Sequence, residues 1–211
     1  MVKEITFYGQ FGRRIDKLLY KSYFKDKMNG VALEAGAVDG HTISTTRAFE
    51  ESLNWKCINI EPLPASFEKL QKNRPHSLNI NVALSNKDGE VLFRHGPNHI
   101  LRAGVVEKES SSRRNKRCRF EYIKVPSKTY RTLIEEHKIE HIDLMVIDVE
   151  GHELEVVEGI QGARVLPYVL CIEHEHCGRD NLKDLLIPMG YKLDKIRQAN
   201  AMFVKNNEKC L

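Results

Sequence analysis

Four short, mostly apolar runs in this chain each stop at an acid. They are V-A-L-E, ending at Glu34; C-I-N-I-E, ending at Glu61; L-M-V-I-D, ending at Asp148; and V-L-C-I-E, ending at Glu173. Runs this short and this apolar suit strands buried on both faces rather than helices. The spacing predicts strands over 31–37, 56–62, 142–151 and 168–173, with amphipathic helical segments between most of them. Such a βα repeat builds a parallel sheet with helices on both faces, and ligands of open α/β sheets bind beyond the carboxyl ends of the strands. Four acids would therefore face one ligand edge.

The remaining elements follow from periodicity and turn signals. An N-terminal helical segment over 1–30 carries Ile15, Leu18, Leu19 and Tyr23 at helical spacing. Thr42, Ser44 and Thr46 fall in a helical pattern with Ile43, Phe49 and Leu53 on its apolar side. Pro62 and Pro64 stop the second strand, and a helix with Phe67 and Leu70 runs to about Asn73. Residues 78–86 alternate and read as a third strand. Asp88-Gly89 is a hairpin signal that returns a short strand over 90–94. Residues 95–126 read as a long basic loop insertion, followed by a helix over 127–138. Helices over 153–158 and 180–189 precede a C-terminal antiparallel hairpin, 191–196 with 201–205. The fold expected is Rossmann-like: one α/β domain over 1–211 with a mostly parallel seven-stranded sheet.

The acids constrain the ligand. Glu34 is followed by Gly36, Ala37, Asp39 and Gly40, and the loop lacks the G-x-G-x-x-G of dinucleotide sites. A pyrophosphate would meet Glu34 and Asp39, which argues against a dehydrogenase. Carboxylates suit hydroxyl and cationic groups, and an acid ending the second strand of such a unit typically holds ribose hydroxyls. S-adenosylmethionine offers a ribose, an ammonium and a sulfonium. Asp148 at the central strand end, with Glu150, His152 and His174 near it, supplies candidates for a general base. Asp148, Glu173 and His174 also form a possible oxygen-rich magnesium set, though no third acid is evident and the preferred reading has no metal.

The charge is uneven. Residues 113–119, R-R-N-K-R-C-R, hold five basic residues and no acid, leaving the rest of the chain near neutral within a net +4. Arg113, Arg114, Lys116, Arg117 and Arg119 read either as a solvated loop or as a contact for an anionic acceptor. With Phe120 and Tyr122 nearby, a second function class is a protein of this fold that acts on or binds nucleic acid. If the run lines the acceptor site, acceptor affinity should fall with salt while cofactor affinity stays constant. Kinetics indifferent to salt would return it to a solvated loop. The five cysteines lack the paired short spacing of a zinc site, and Cys57 and Cys171 sit in apolar runs as reduced core residues. No apolar run approaches the ~20 residues of a membrane span, and M-V-K-E-I-T-F lacks the apolar core of a signal peptide. The expected setting is cytoplasmic; nothing in the pattern fixes the oligomeric state.

Four segments resemble the FkbM-type family of class I S-adenosylmethionine-dependent methyltransferases: E-A-G-A-V-D-G-H-T-I-S-T-T, C-I-N-I-E-P-L-P-A-S-F-E-K-L, N-V-A-L-S-N and I-D-L-M-V-I-D-V-E-G-H-E-L-E-V-V-E-G. The resemblance spans roughly residues 31–176 and implies O-methylation of a hydroxyl on a sugar, glycan or other small acceptor. It also implies that Glu34, Gly36 and Gly40 line the methionine end of the cofactor, with Ser44 near its carboxylate. Glu61 and Pro62 would lie at the ribose, and Val82 and Ala83 beside the adenine. The chain departs from the family pattern at Glu34, where Asp is commoner. It departs again at Val82, which cannot bind the adenine amino group and leaves that role to Asn81 or the backbone. The basic run is not part of the signature either.

Overall fold

The computed structural model describes residues 5–9, 14–96, 103–107 and 120–206. The basic run 113–119, Cys118 and Cys210 lie outside the described residues. The elements are α1 (Ile15–Tyr23), β1 (Val31–Ala35), α2 (Arg47–Leu53), β2 (Lys56–Ile60), α3 (Pro64–Asn73), β3 (Leu78–Ile80), β4 (Ala83–Leu84), β5 (Gly89–His95) and β6 (Gly104–Val105). They continue with β7 (Glu121–Lys128), α4 (Tyr130–Glu136), β8 (Leu144–Ile147), α5 (Glu153–Glu158), β9 (Val169–Glu173), α6 (Arg179–Leu186), β10 (Tyr191–Arg197) and β11 (Asn200–Lys205).

The main sheet has seven strands in the order β10-β11-β9-β8-β1-β2-β3. β1, β2, β3, β8 and β9 pair in parallel, and β11 runs antiparallel between β9 and β10. Strand alternation sends successive side chains to opposite faces. Leu33, Met145 and Ile147 pack with Leu133 and Ile134 of α4, Val156 and Val157 of α5 and Leu182 and Leu186 of α6. Ala32, Leu144 and Val146 pack on the other face with Ile15 and Leu19 of α1 and Phe49 and Leu53 of α2. Helices thus cover both faces, as the apolar strand runs require.

The register levels the acids. Ala35 pairs with Ile60 of β2 and with Ile147 of β8, and Ile147 pairs with Ile172 of β9. The next residues, Gly36, Glu61, Asp148 and Glu173, form one row across the sheet edge. Glu34 stands two residues before Gly36, level with Asn59 and Val146, and lies inside the sheet.

Three expectations are corrected. Residues 78–86 are not one strand: β3 closes the main sheet and β4 starts a second sheet, β4-β7-β5-β6. Asn81 lies at the break, its side-chain amide donating to the carbonyls of Glu61 (2.8 Å) and Pro62 (3.0 Å). Residues 95–126 are not all loop, because β6 and most of β7 fall within them. β7 pairs antiparallel with β5 from Gly89↔Ser127 to His95↔Glu121. Ser127 and Lys128 therefore belong to a strand, and α4 starts only at Tyr130, where the Thr129 side chain accepts from the Thr132 amide. Finally, residues 42–46 are not helical and α2 starts at Arg47, for a reason that lies in the site.

No helix among the described residues is long and apolar enough to cross a membrane. Cys57 and Cys171 are buried and free, as their apolar runs imply.

Candidate active site

A cavity of about 810 Å³ opens at the row of strand-end residues, within the ~300–1,000 Å³ of small-molecule sites. Its lining includes Glu34, Gly36, Ala37, Ser44, Glu61, Pro62, Val82, Ala83, Asp148, Glu150 and His152, all expected from the sequence. The second sheet adds Phe93, Arg94, Ala103 and Val105. These residues had no signal of their own. Asp88-Gly89 marked the hairpin, but nothing local says that it folds over the ligand edge.

Glu34 is not free to hold a ligand by its carboxylate. One oxygen accepts from the hydroxyls of Ser44 and Thr46, each at 2.7 Å, and the other from the Thr45 amide at 2.7 Å. This buried cluster wraps 42–46 around the carboxylate and keeps the segment out of the helix. The guanidinium of Arg74 reaches the Ser44 hydroxyl (3.2 Å) and the Gly40 carbonyl (3.2 Å), and pairs with Glu50. Glu34 thus shapes the loop that bounds the cavity.

Asp39 and Gly40 are also corrected, since neither lines the cavity. The Asp39 carboxylate turns back on its own loop, accepting from the amides of His41 (2.9 Å) and Thr42 (2.7 Å) and from the Thr42 hydroxyl. Burial raises its pKa, but those hydrogen bonds outweigh it and hold the group below the usual range. Gly40 packs under α3, where a Cβ would meet Leu70 at 2.5 Å and Arg74 at 2.7 Å.

Glu61 lines the cavity. It is buried at the end of β2, and its two oxygens accept from the amides of Val38 (2.9 Å) and Leu63 (2.8 Å). Burial pushes its carboxyl up to about 7, against the lowering effect of those two amides. Each oxygen keeps a further lone pair for a ligand hydroxyl. Asn81 donates its side-chain amide to the Glu61 and Pro62 carbonyls and does not line the cavity.

At the centre of the row, Asp148 and Glu173 share a side-chain hydrogen bond. Burial, then the charges of Asp148 and Glu150, push the Glu173 carboxyl up to about 9. Glu173 therefore carries the proton at neutral pH and donates it to Asp148. Glu150 adopts φ 57 and reaches His176, its Oε2 3.6 Å from Nε2. Buried Glu153 holds this loop, one oxygen accepting from the amides of Val149 (3.2 Å) and Gly151 (3.0 Å). The sequence marks Glu153 only as the start of α5; its role is visible as an acid at the start of a helix, reaching back to the turn before it.

The histidines divide. His152 lines the cavity, but Nε2 lies 3.0 Å from the Ser85 hydroxyl and Nδ1 3.4 Å from Glu155. Burial lowers its pKa more than the neighbouring acids raise it, so it is neutral at pH 7. His174 is corrected: its Nε2 lies 3.0 Å from the Gln198 carbonyl, and the residue does not line the cavity. His176, two residues on, does.

The methyltransferase FkbM domain model matches residues 34–198. Among solved structures, the chain is similar to the methyltransferase FkbM from Methylobacillus flagellatus, with TM-score 0.50 and 12% identity over 83% of this chain. The chain spans 43% of that protein. It is also similar to fibrillarin from Aeropyrum pernix in complex with natively bound S-adenosyl-L-methionine (TM-score 0.48, 12% identity, 89% of this chain and 71% of that one). A third is a precorrin-6y C5,15-methyltransferase from Geobacter metallireducens (TM-score 0.49, 9% identity, 95% and 94%). No curated protein matches significantly. The sheet order, the row of acids and the matched segment agree on a class I methyltransferase fold, and the chain belongs to the methyltransferase FkbM domain family.

Proposed function

We propose that the chain is an S-adenosylmethionine-dependent methyltransferase that methylates a hydroxyl oxygen on a small or glycan acceptor. Glu61 carries this reading: a buried carboxylate with lone pairs to spare, one βα unit after a glycine loop, opening onto a cavity of sufficient size. Gly36 and Ala37 bring backbone to the same wall, and Val82 and Ala83 offer an apolar one. The donor set fits ribose hydroxyls and a cation better than a pyrophosphate. Bound there, S-adenosylmethionine supplies an activated methyl group whose sulfur leaves with the bonding electron pair. The chain's part is to align the acceptor and take its proton, and positioning alone can supply ~7–11 kcal/mol. Asp148, fixed by the Glu173 proton and facing the cavity, is the group that takes it.

Calorimetry tests the cofactor. Hydroxyls donate to the ionised form of Glu61, so S-adenosylmethionine affinity should rise with pH through about 7 and level off above it. The ligand-free protein should show the opposite sign. Its carboxyl is raised in the folded state, so the stability Glu61 contributes is full below the unfolded value and lost as pH rises through about 7. Glu61→Gln should flatten both profiles and weaken binding about 10–150-fold, the loss of charged hydrogen bonds worth ~1.5–3 kcal/mol. Tight NADH binding with no response to S-adenosylmethionine would overturn the assignment.

A further inference from the structure

Glu150 and His176 come from the loops after β8 and β9, Glu173 ends β9, and each of the three lines the cavity. One donor atom from each lies within 4.8 Å of the other two. Ligand atoms at ~2.0–2.2 Å from one ion stand about 3 Å apart when adjacent and about 4.3 Å when opposite, so small side-chain shifts bring the trio around one ion. A second observation is independent of this spacing: Glu173 Oε2 is buried and has no hydrogen-bond partner. An unsatisfied buried oxygen is costly, and a divalent cation bound there displaces the proton that Glu173 shares with Asp148, so that the ionised carboxylate gains its strongest partner.

We propose that Glu150, Glu173 and His176 bind a divalent transition cation, of which Mn²⁺ is the type, on the acceptor side of the cavity. Carboxylates suit magnesium, calcium and manganese, and imidazole suits later first-row metals, so the mixed set favours Mn²⁺ over Mg²⁺. It differs from the magnesium set expected from the sequence, because His174 is turned to Gln198 and Asp148 is bonded to Glu173. Three protein ligands leave positions open for water or for oxygens of the acceptor. The acceptor class that follows is one with two neighbouring oxygens, such as a vicinal diol. That consequence rests on the methyltransferase reading, but the ion site does not.

The test is Mn²⁺ titration of the full chain, followed by calorimetry and by the electron paramagnetic resonance of free Mn²⁺, without acceptor. One saturable site is expected, weakened about tenfold or more by Glu150→Gln, by Glu173→Gln and by His176→Ala, with Mg²⁺ a poor competitor. Glu173→Gln is close in shape to the native side chain, and circular dichroism checks that each variant is folded. No saturable binding up to about 1 mM, or a site indifferent to all three substitutions, overturns the proposal. S-adenosylmethionine is titrated separately in the presence of a chelator. Its binding without a Mn²⁺ site overturns the metal alone, and a Mn²⁺ site without S-adenosylmethionine binding overturns the methyltransferase reading alone.

Discussion

Asp148→Asn should lower turnover by about 10²–10⁴-fold, the usual contribution of a positioned general base, while leaving the thermal midpoint nearly unchanged. Asparagine keeps the shape and the Asp148 amide still donates to the Ala35 carbonyl (3.1 Å), so the strand end stays in place. What is lost is the oxygen that accepts a proton. The assignment follows from excluding its neighbours. The ring nitrogens of His152 are directed at Ser85 and Glu155, and His174 faces the turn before β11. Glu173 already holds a proton at neutral pH. Glu34 has both oxygens engaged. Single-turnover rates with saturating S-adenosylmethionine separate this from a binding defect: KM for the cofactor should hold while the methyl-transfer rate falls. Wild-type turnover by Asp148→Asn would remove the residue from the mechanism.

The parts of this site that were legible in the sequence are those set by backbone register. Apolar runs that end in acids specify strands and their ends. Parallel pairing then levels Glu61, Asp148 and Glu173 without reference to any distant residue. Glu34 shows where this logic fails. Its carboxylate reads like a ligand group, but its partners are Ser44, Thr45 and Thr46, whose helical pattern hides the loop they form around it. β7 was obscured for a related reason. E-Y-I-K-V-P-S-K mixes charge and proline, and it becomes a strand by pairing with β5, some thirty residues earlier. Val125 and Phe93, from these two strands, then share a small core with Leu63 and Ala83 beside the cavity. The choice between His174 and His176 depends on how the chain turns after β9, which no periodicity encodes.

Gly36→Ala should destabilise the fold by more than about 3 kcal/mol, at the severe end of single substitutions. Two costs add. Gly36 has φ +87, where an L side chain costs roughly 1–2 kcal/mol. The added Cβ would also stand 1.9 Å from the Asp148 carbonyl oxygen. That oxygen cannot yield easily, because the Gly36 amide is bonded to Ile60 (3.1 Å) and the Asp148 amide to Ala35 (3.1 Å). Relief needs β1 and β8 to part at the centre of the sheet. Gly190 separates the two costs, since it has φ +86 and a Cβ there would meet nothing within 4 Å. Gly190→Ala should therefore lose only the backbone share, roughly 1–2 kcal/mol. For a chain of this size each kcal/mol lowers the midpoint by about 2–4 °C, so thermal or urea unfolding resolves the pair. Equal losses at the two positions would show that the sheet absorbs the added methyl group at Gly36. The close packing of β1 on the Asp148 backbone would then not be what holds the Asp148 carboxylate in place.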